Sequence, residues 1–162
     1  MKHQQILFQP IGTIRTPYID KAPYQPYEDK LSRFEVEVYP EFEAGLNGLD
    51  SFRYLMLFFY MDRVKPSDKL MIDVSWAGIR TGVFSTRSPE RPNPIGFSIV
   101  KLLGREGNVL RISGIDAFDD TPLIDIKPYL LELDSKKDAN NGWVDQLEDK
   151  EHMTLHLKGI PH

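Results

Sequence analysis

The sequence predicts a mainly β fold, a barrel or a sandwich, with long irregular loops and little helix. Three observations carry this reading. Six to eight short runs have the apolar or alternating pattern of strands. Eleven glycines and twelve prolines punctuate the 162 residues between them. Helical spacing is confined to Phe42–Leu49, a short turn closed by Gly48, and to the polar stretch Asp134–Lys150, where Trp143, Val144 and Leu147 line up.

Taken in order, Ile6–Ile14 reads as a strand bent at Pro10 and Gly12. Thr16–Lys30 interleaves Pro17, Pro23 and Pro26 with Tyr18, Tyr24 and Tyr27, an extended surface segment whose tyrosines either pin it to the body or line a cleft. Phe34–Tyr39 alternates and stops at Pro40. Phe52–Tyr60 holds the longest apolar run, Tyr54–Met61, and predicts a buried, central strand. Leu70–Trp76 is rich in β-formers. Phe97–Leu103 and Val109–Ile115, joined through Glu106-Gly107-Asn108, predict a hairpin. Leu123–Ile126 is a further strand, and Thr154–Leu157 a last strand or tail. No linker or repeat divides the chain, so a single domain over 1–162 is expected.

Composition narrows the function classes. The chain has no cysteine, which removes disulfides and thiolate metal sites and suits a reducing cytoplasm. Its longest apolar run falls far short of the roughly 20 residues of a membrane-spanning helix. The net charge of −4 gives no global attraction for nucleic acid, so any such partner must be met by a local patch.

That patch lies between Gly82 and Gly96, GVFSTRSPERPNPIG. Pro89, Pro92 and Pro94 fix their own φ and restrict the residues before them, which stiffens the loop. Arg80, Arg87 and Arg91 stand against Glu90 alone. Arginine offers paired donors to a carboxylate or phosphate, and Asn93 both donates and accepts. Glycines at the ends allow unusual dihedrals or close approach. The segment reads as a rigid, basic ligand loop, or as a structural loop whose arginines meet the acidic excess. Neither GxGxxG nor a Walker sequence is present.

A second cluster, Gly114–Tyr129, gathers Asp116, Asp119, Asp120 and Asp125 with Lys127. Such carboxylates commonly cap turns; one of them also suits a ligand amine, a ribose hydroxyl or an arginine of the first loop. All four histidines, His3, His152, His156 and His162, lie near the chain ends, so neither a histidine base nor a metal site is expected.

Four stretches carry a resemblance: IGTIRTPY (Ile11–Tyr18), GVFSTRSPERPNPIGFSIV (Gly82–Val100), GIDAFDDTPLIDIKPY (Gly114–Tyr129) and Gly142-Trp143. Together they resemble the TsaA/TrmO-like family, β-barrel S-adenosylmethionine-dependent methyltransferases acting on N6 of a threonylcarbamoyl-adenosine beside the tRNA anticodon. The resemblance implies a small closed or partly closed β-barrel, a homodimer, and S-adenosyl-L-methionine held by the two loops near the subunit interface. By position it implies cofactor contacts from Arg87, Ser88, Pro89, Arg91, Asn93 and Pro94, and from Asp119, Thr121, Pro122, Asp125, Lys127 and Tyr129. It implies substrate contacts from Arg15, Thr16, Pro17, Arg53 and Tyr54, with tRNA as the acceptor. Asp119 and Asp125 are the candidate proton acceptors. The chain departs from the family pattern in having Arg53-Tyr54 for a serine-histidine pair, Met61-Asp62 for a second histidine, and Asp120 for a glycine. The separate C-terminal domain of longer members is expected to be absent. The expected reaction is methyl transfer; the alternative is a module that binds the cofactor as a sensor or scaffold.

Overall fold

The computed structural model describes residues 5–23, 33–148 and Leu155. Among the described residues eight strands form: β1 (Gly12–Arg15), β2 (Glu35–Val38), β3 (Tyr54–Tyr60), β4 (Met71–Val74), β5 (Ile79–Gly82), β6 (Ile95–Glu106), β7 (Val109–Ile112) and β8 (Thr121–Pro128). Six of them pair antiparallel into a closed barrel in the order β1-β2-β7-β6-β3-β8, with β8 returning to β1. Strands β4 and β5 form a separate hairpin outside the ring. Closure removes the unpaired edges that a six-stranded sheet would otherwise expose.

Alternation decides what fills the interior. On β3, Leu55, Leu57 and Phe59 point inward and are at most 4% exposed, while Tyr54, Met56, Phe58 and Tyr60 point out. The run reads as wholly apolar, yet one face of it is on the surface. Strand β6 repeats the arrangement, burying Gly96, Ser98 and Val100 and showing Ile95, Phe97 and Ile99 outside. Ile14, Val36, Val38, Leu110, Ile112 and Leu123 complete the core from the other strands.

Two glycines fix the geometry. Gly107 takes a φ of 57° at the first of two residues joining β6 to β7, a position that a two-residue hairpin reserves for glycine. Gly96 faces Phe59 across the β3–β6 ladder, and a Cβ there would collide with ring carbons Cδ2, Cε2 and Cζ. The ring of Phe59 therefore occupies the space that glycine leaves. Gly82, at the other end of the loop, has a φ of −65° and open surroundings, so nothing in its backbone demands glycine.

The expected elements differ in four places. The first strand is shorter, because Pro10 has no N–H for a ladder and pairing begins beyond it; Ile6, Leu7 and Phe8 stay exposed. Strand β5, IRTG, has no apolar alternation and exists through its pairing with β4. Strand β7 ends at Ile112, although Ile115 beyond it is fully buried. The helix expected over Asp134–Lys150 does not form in the described part of that stretch: Leu131–Asp134 forms one helical turn, and Gly142–Gln146 a 3-10 turn behind Gly142 at a φ of 61°. Phe42–Leu49 is matched by a 3-10 turn over Pro40–Leu46, followed by Gly48 at a φ of 83°. Tyr18 packs on Phe34 at 5.8 Å between ring centroids, a tyrosine pinning its segment to the barrel. Tyr24, Pro26, Tyr27, the histidines and Thr154–Leu157 apart from Leu155 lie outside the described residues, and Leu155 is helical rather than part of a strand. No helix among the described residues is long and apolar enough to cross a membrane.

Candidate functional site

The loop between β5 and β6 is held largely by its own side chains. A 3-10 turn over Val83–Ser85 opens it. Ser85 Oγ donates to Gly82 O at 2.7 Å and Thr86 Oγ1 to Val83 O at 2.8 Å. Thr86 Oγ1 then accepts from Ser88 N–H, and Ser88 Oγ accepts from Glu90 N–H, each at 3.3 Å. Prolines cannot supply these donors, so the hydroxyls replace a regular backbone ladder. The two loop arginines have different work. Arg91 is half-buried and its Nη1 donates to Thr86 O and Ser88 O at 3.3 and 3.4 Å, clamping the loop from within. Arg87 stays exposed. The loop is docked through Pro94, which is fully buried and whose carbonyl accepts from Met61 N–H at 2.8 Å. Pro89 and Asn93 lie exposed on the same loop.

The N-terminal motif and the aspartate-rich segment are stitched together. Thr16 is 8% exposed; its Oγ1 donates to Ala117 O and its N–H to Asp119 Oδ1, both at 3.0 Å. Asp119 N–H returns a bond to Tyr18 O at 2.8 Å. Arg63, which the sequence alone does not mark, donates to the carbonyls of Ile19 and Asp119 and stands 4.5 Å over the ring of Phe118. Arg15 pairs with Asp120. Asp120 has a φ of 63°, the left-handed region that glycine adopts freely. The expected outcome is therefore asymmetric. Asp120→Ala keeps the strain and loses the pair, and lowers stability by about 1 kcal/mol; Asp120→Gly loses the pair but relieves the strain, and stays near wild type. Urea unfolding midpoints check this.

Asp116 of the aspartate-rich segment is half-buried, and Ser98, which points into the barrel from β6, and more weakly Arg87 of the central loop favour its charged form. Burial raises the carboxyl above its ordinary value, against the smaller opposing effects of its backbone bond, Ser98 and Arg87. A carboxyl whose proton affinity is raised by burial is the kind of group that clusters at functional sites. It was one of four aspartates in a run, with no local signal to set it apart.

The remaining residues named from sequence line β8 and its neighbours. Thr121 is buried, and Pro122 sits opposite Thr13 on β1. Asp125 and Lys127 point outward from β8 and pair at 2.7 Å, while Asp125 Oδ1 accepts from Ile126 N–H at 2.9 Å. Tyr129 N–H donates to Tyr54 O at 3.0 Å, and the two rings meet edge-on at 6.4 Å. Arg53 is exposed just before β3. Three groupings result: the loop with Asp116, the Arg15–Pro17 motif with Asp119 and Asp120, and an outer face carrying Tyr54, Asp125, Lys127 and Tyr129. Among the described residues no three His, Cys, Asp or Glu side chains are placed to hold a metal ion.

The family model described as the tRNA-methyltransferase O N-terminal domain matches residues 13–135, which takes in all three groupings. The chain belongs to this TrmO family. A probable S-adenosyl-L-methionine-binding protein of Archaeoglobus fulgidus is 42% identical over 146 residues, covering 89% of this chain and 39% of that protein. A protein of the same description from Methanothermobacter thermautotrophicus is 34% identical over 137 residues, covering 83% of this chain and 98% of its own length. The human tRNA (adenine(37)-N6)-methyltransferase is 35% identical over 156 residues, 91% of this chain and 35% of the human one. The crystal structure of TrmO from Pseudomonas aeruginosa superposes with a TM-score of 0.70 at 36% identity, over 86% of this chain and 62% of that one. The chain thus spans about two fifths of the Archaeoglobus relative and a third of the human one.

Within the TrmO frame, the departures have structural places. Asp120 occupies a left-handed position that suits the family's glycine. Arg53-Tyr54 and Met61-Asp62 flank the two ends of β3, with Tyr54 on the outer face and Met61 tied to the loop through Pro94. Arg87, Ser88 and Asp116 are untouched by them.

Proposed function

We propose that this chain binds S-adenosyl-L-methionine and transfers its methyl group to N6 of an adenosine in tRNA. The observation that carries the reading is the family match over residues 13–135, together with a stiff loop that keeps Arg87 exposed while Arg91 clamps it from within. The donor set suits the cofactor: an exposed guanidinium for its carboxylate, the Ser88 hydroxyl and the exposed Asn93 amide for its nucleoside. Pro89, Arg91 and Pro94 shape and hold that loop, while Thr121 and Pro122 seat β8 against β1. When bound, the cofactor supplies an activated methyl group on a positively charged sulfur.

The protein's own work is orientation and proton transfer. Arg87 directs the carboxylate end of the cofactor, keeping positive charge away from the sulfur. Asp116, whose proton affinity is raised by burial, takes the proton from the attacking nitrogen. Asp119 and Asp125 are already committed, to Thr16 N–H and to Lys127, and act as scaffold. Arg15, Thr16 and Pro17 set the position of the aspartate-rich segment on the acceptor side, with Arg53 and Tyr54 further out.

The outer face of β3 and β6 supports a homodimer. Phe58 and Phe97 pack at 5.2 Å, with Tyr60, Ile95, Phe97 and Ile99 all 36–48% exposed. A continuous apolar face of this kind, bordered by the Asp125–Lys127 pair, suits a second copy of the chain. The central loop runs directly into it at Ile95, so dimerisation brings the cofactor loop to the interface. An RNA acceptor and a cysteine-free chain fit the cytoplasm.

The test is incubation of the purified protein with total tRNA and tritiated methyl donor, followed by digestion to nucleosides. Label in N6-methylated adenosine is expected. Cofactor binding with no label in any RNA favours the second reading, a non-catalytic binding module, which the names of the archaeal relatives support.

A further inference from the structure

Asp116 lies in a stretch of chain between strands. Strand β7 ends at Ile112 and β8 begins at Thr121. Ser113 N–H still reaches Lys101 O on β6 at 2.9 Å, and from Gly114 onward the backbone is irregular. A carboxyl in such a stretch stands where its neighbours are pinned. Ile115 and Ala117, on either side, are 0% and 5% exposed and fix the chain toward the core. The next pins fall on residues 117–119. Ala117 O accepts from Thr16 Oγ1 at 3.0 Å, Asp119 Oδ1 from Thr16 N–H at 3.0 Å, and Asp119 N–H donates to Tyr18 O at 2.8 Å. All three come from one segment, Thr16–Tyr18, which itself continues past the end of β1 without a strand ladder.

Arg63 grips both segments from a third direction. It follows the end of β3, where Met61 N–H donates to Pro94 O at 2.8 Å and Asp62 N–H to Tyr60 O at 2.9 Å, so its backbone is tied to the barrel. Its guanidinium donates from Nη1 to Ile19 O and from Nη2 to Asp119 O at 3.2 Å, and stands 4.5 Å over the ring of Phe118. One planar cation thereby bridges the Thr16–Ile19 segment and the aspartate-rich segment, a span that needs the forked donors of arginine. Magnitudes set this apart from a stability role. Arg63 is exposed, and an exposed side chain's hydrogen bonds and ring contact contribute little to folding. A misplacement of about 1 Å at a reacting group, by contrast, costs up to about a hundredfold in rate.

We propose that Arg63 is a positioning residue, which by bridging Ile19 and Asp119 sets where the Asp116 carboxyl stands. Its part in the reaction rests on the reading above of Asp116 as the proton acceptor. The charged group that acts on this carboxyl is Arg87, and its hydroxyl partner is Ser98. Arg63 works instead through the backbone of Phe118 and Asp119, two and three residues along the chain. It keeps Asp116 at the depth where burial raises its proton affinity.

The experiment titrates the Asp116 carboxyl by carbon-13 NMR in the wild type and in Arg63→Ala, with single-turnover methyl transfer to total tRNA alongside. Without the bridge Asp116 shifts toward water, so its midpoint is expected to fall toward the ordinary 3.8. The transfer rate falls about tenfold while the affinity for S-adenosyl-L-methionine is unchanged. The melting temperature drops by no more than about 4 °C. Arg63→Lys keeps a cation over Phe118 but not the fork, and lies between the two. Phe118→Leu removes the ring beneath the guanidinium, shifts the midpoint the same way by less, and carries the test should Arg63→Ala fail to fold. An Asp116 midpoint at the wild-type value in both Arg63→Ala and Phe118→Leu overturns the proposal, whatever the turnover. A midpoint that moves in a chain whose wild type transfers no methyl group upholds the positioning by Arg63 and overturns the methyl-transfer reading.

Discussion

Asp116→Asn raises the thermal midpoint at pH 7 and lowers kcat for methyl transfer at least 100-fold. The first half follows from linkage. The carboxyl's pKa in the folded chain lies above the ordinary 3.8, chiefly because burial disfavours its charge. Between pH 3.8 and the raised folded-state value the unfolded chain has released this proton while the folded chain still holds it. The stabilisation from Asp116 is thus fully present below pH 3.8 and is lost as the pH rises through the folded-state value. Asparagine keeps the shape and the partner for Ser98 without ionising, so it escapes that loss, and the gain over wild type shrinks toward nothing in acid. The second half follows from removal of a general base, which contributes about 10²–10⁴ in rate. Thermal scans at pH 3.5 and 7 with single-turnover assays check both. A lower midpoint at neutral pH would make Asp116 a structural anchor held by Arg87.

Gly96→Ala should cost about 2–3 kcal/mol, the usual penalty of forcing a methyl group into a packed core. For a chain of this size that lowers the melting point by roughly 4–12 °C. The new Cβ falls on the ring of Phe59, which is 4% exposed and has core on every other side. Gly82→Ala, whose Cβ would come no nearer than 4.0 Å to Leu70 O, is the matched control and should change little. Combining Gly96→Ala with Phe59→Leu should recover part of the loss, since the two share one volume. An additive double variant would show that the glycine serves the loop and not the barrel wall.

The sequence exposed most of the barrel because its strands alternate. Val36 and Val38 against Glu35 and Glu37, or Leu110 and Ile112 against Val109 and Arg111, declare their faces locally, whereas the wholly apolar run of β3 hides its outer face. The hairpin at Gly107 is equally local. Features made by long-range pairing were hidden. Strand β5 exists through its register with β4, Arg63 reaches a carbonyl 44 residues away at Ile19, and Asp116 is distinguished from Asp119 by Ser98 on another strand. The C-terminal helix was misjudged because Trp143, Val144 and Leu147 match helical spacing while Asn140-Asn141-Gly142 breaks the chain just before them. The central loop was readable as rigid and basic, but the division of labour between its arginines was not. Whether a guanidinium binds its own loop, as Arg91 does, or faces outward, as Arg87 does, depends on carbonyl positions that composition does not carry.

That division gives the most direct test of the cofactor site. Calorimetric titration of the wild-type chain with S-adenosyl-L-methionine should show one saturable site per chain, and Arg87→Ala should weaken it at least tenfold without lowering the melting temperature. No heat from the wild type, or an unchanged affinity in Arg87→Ala, would contradict the assignment of the loop and Asp116 as the place where the cofactor is held.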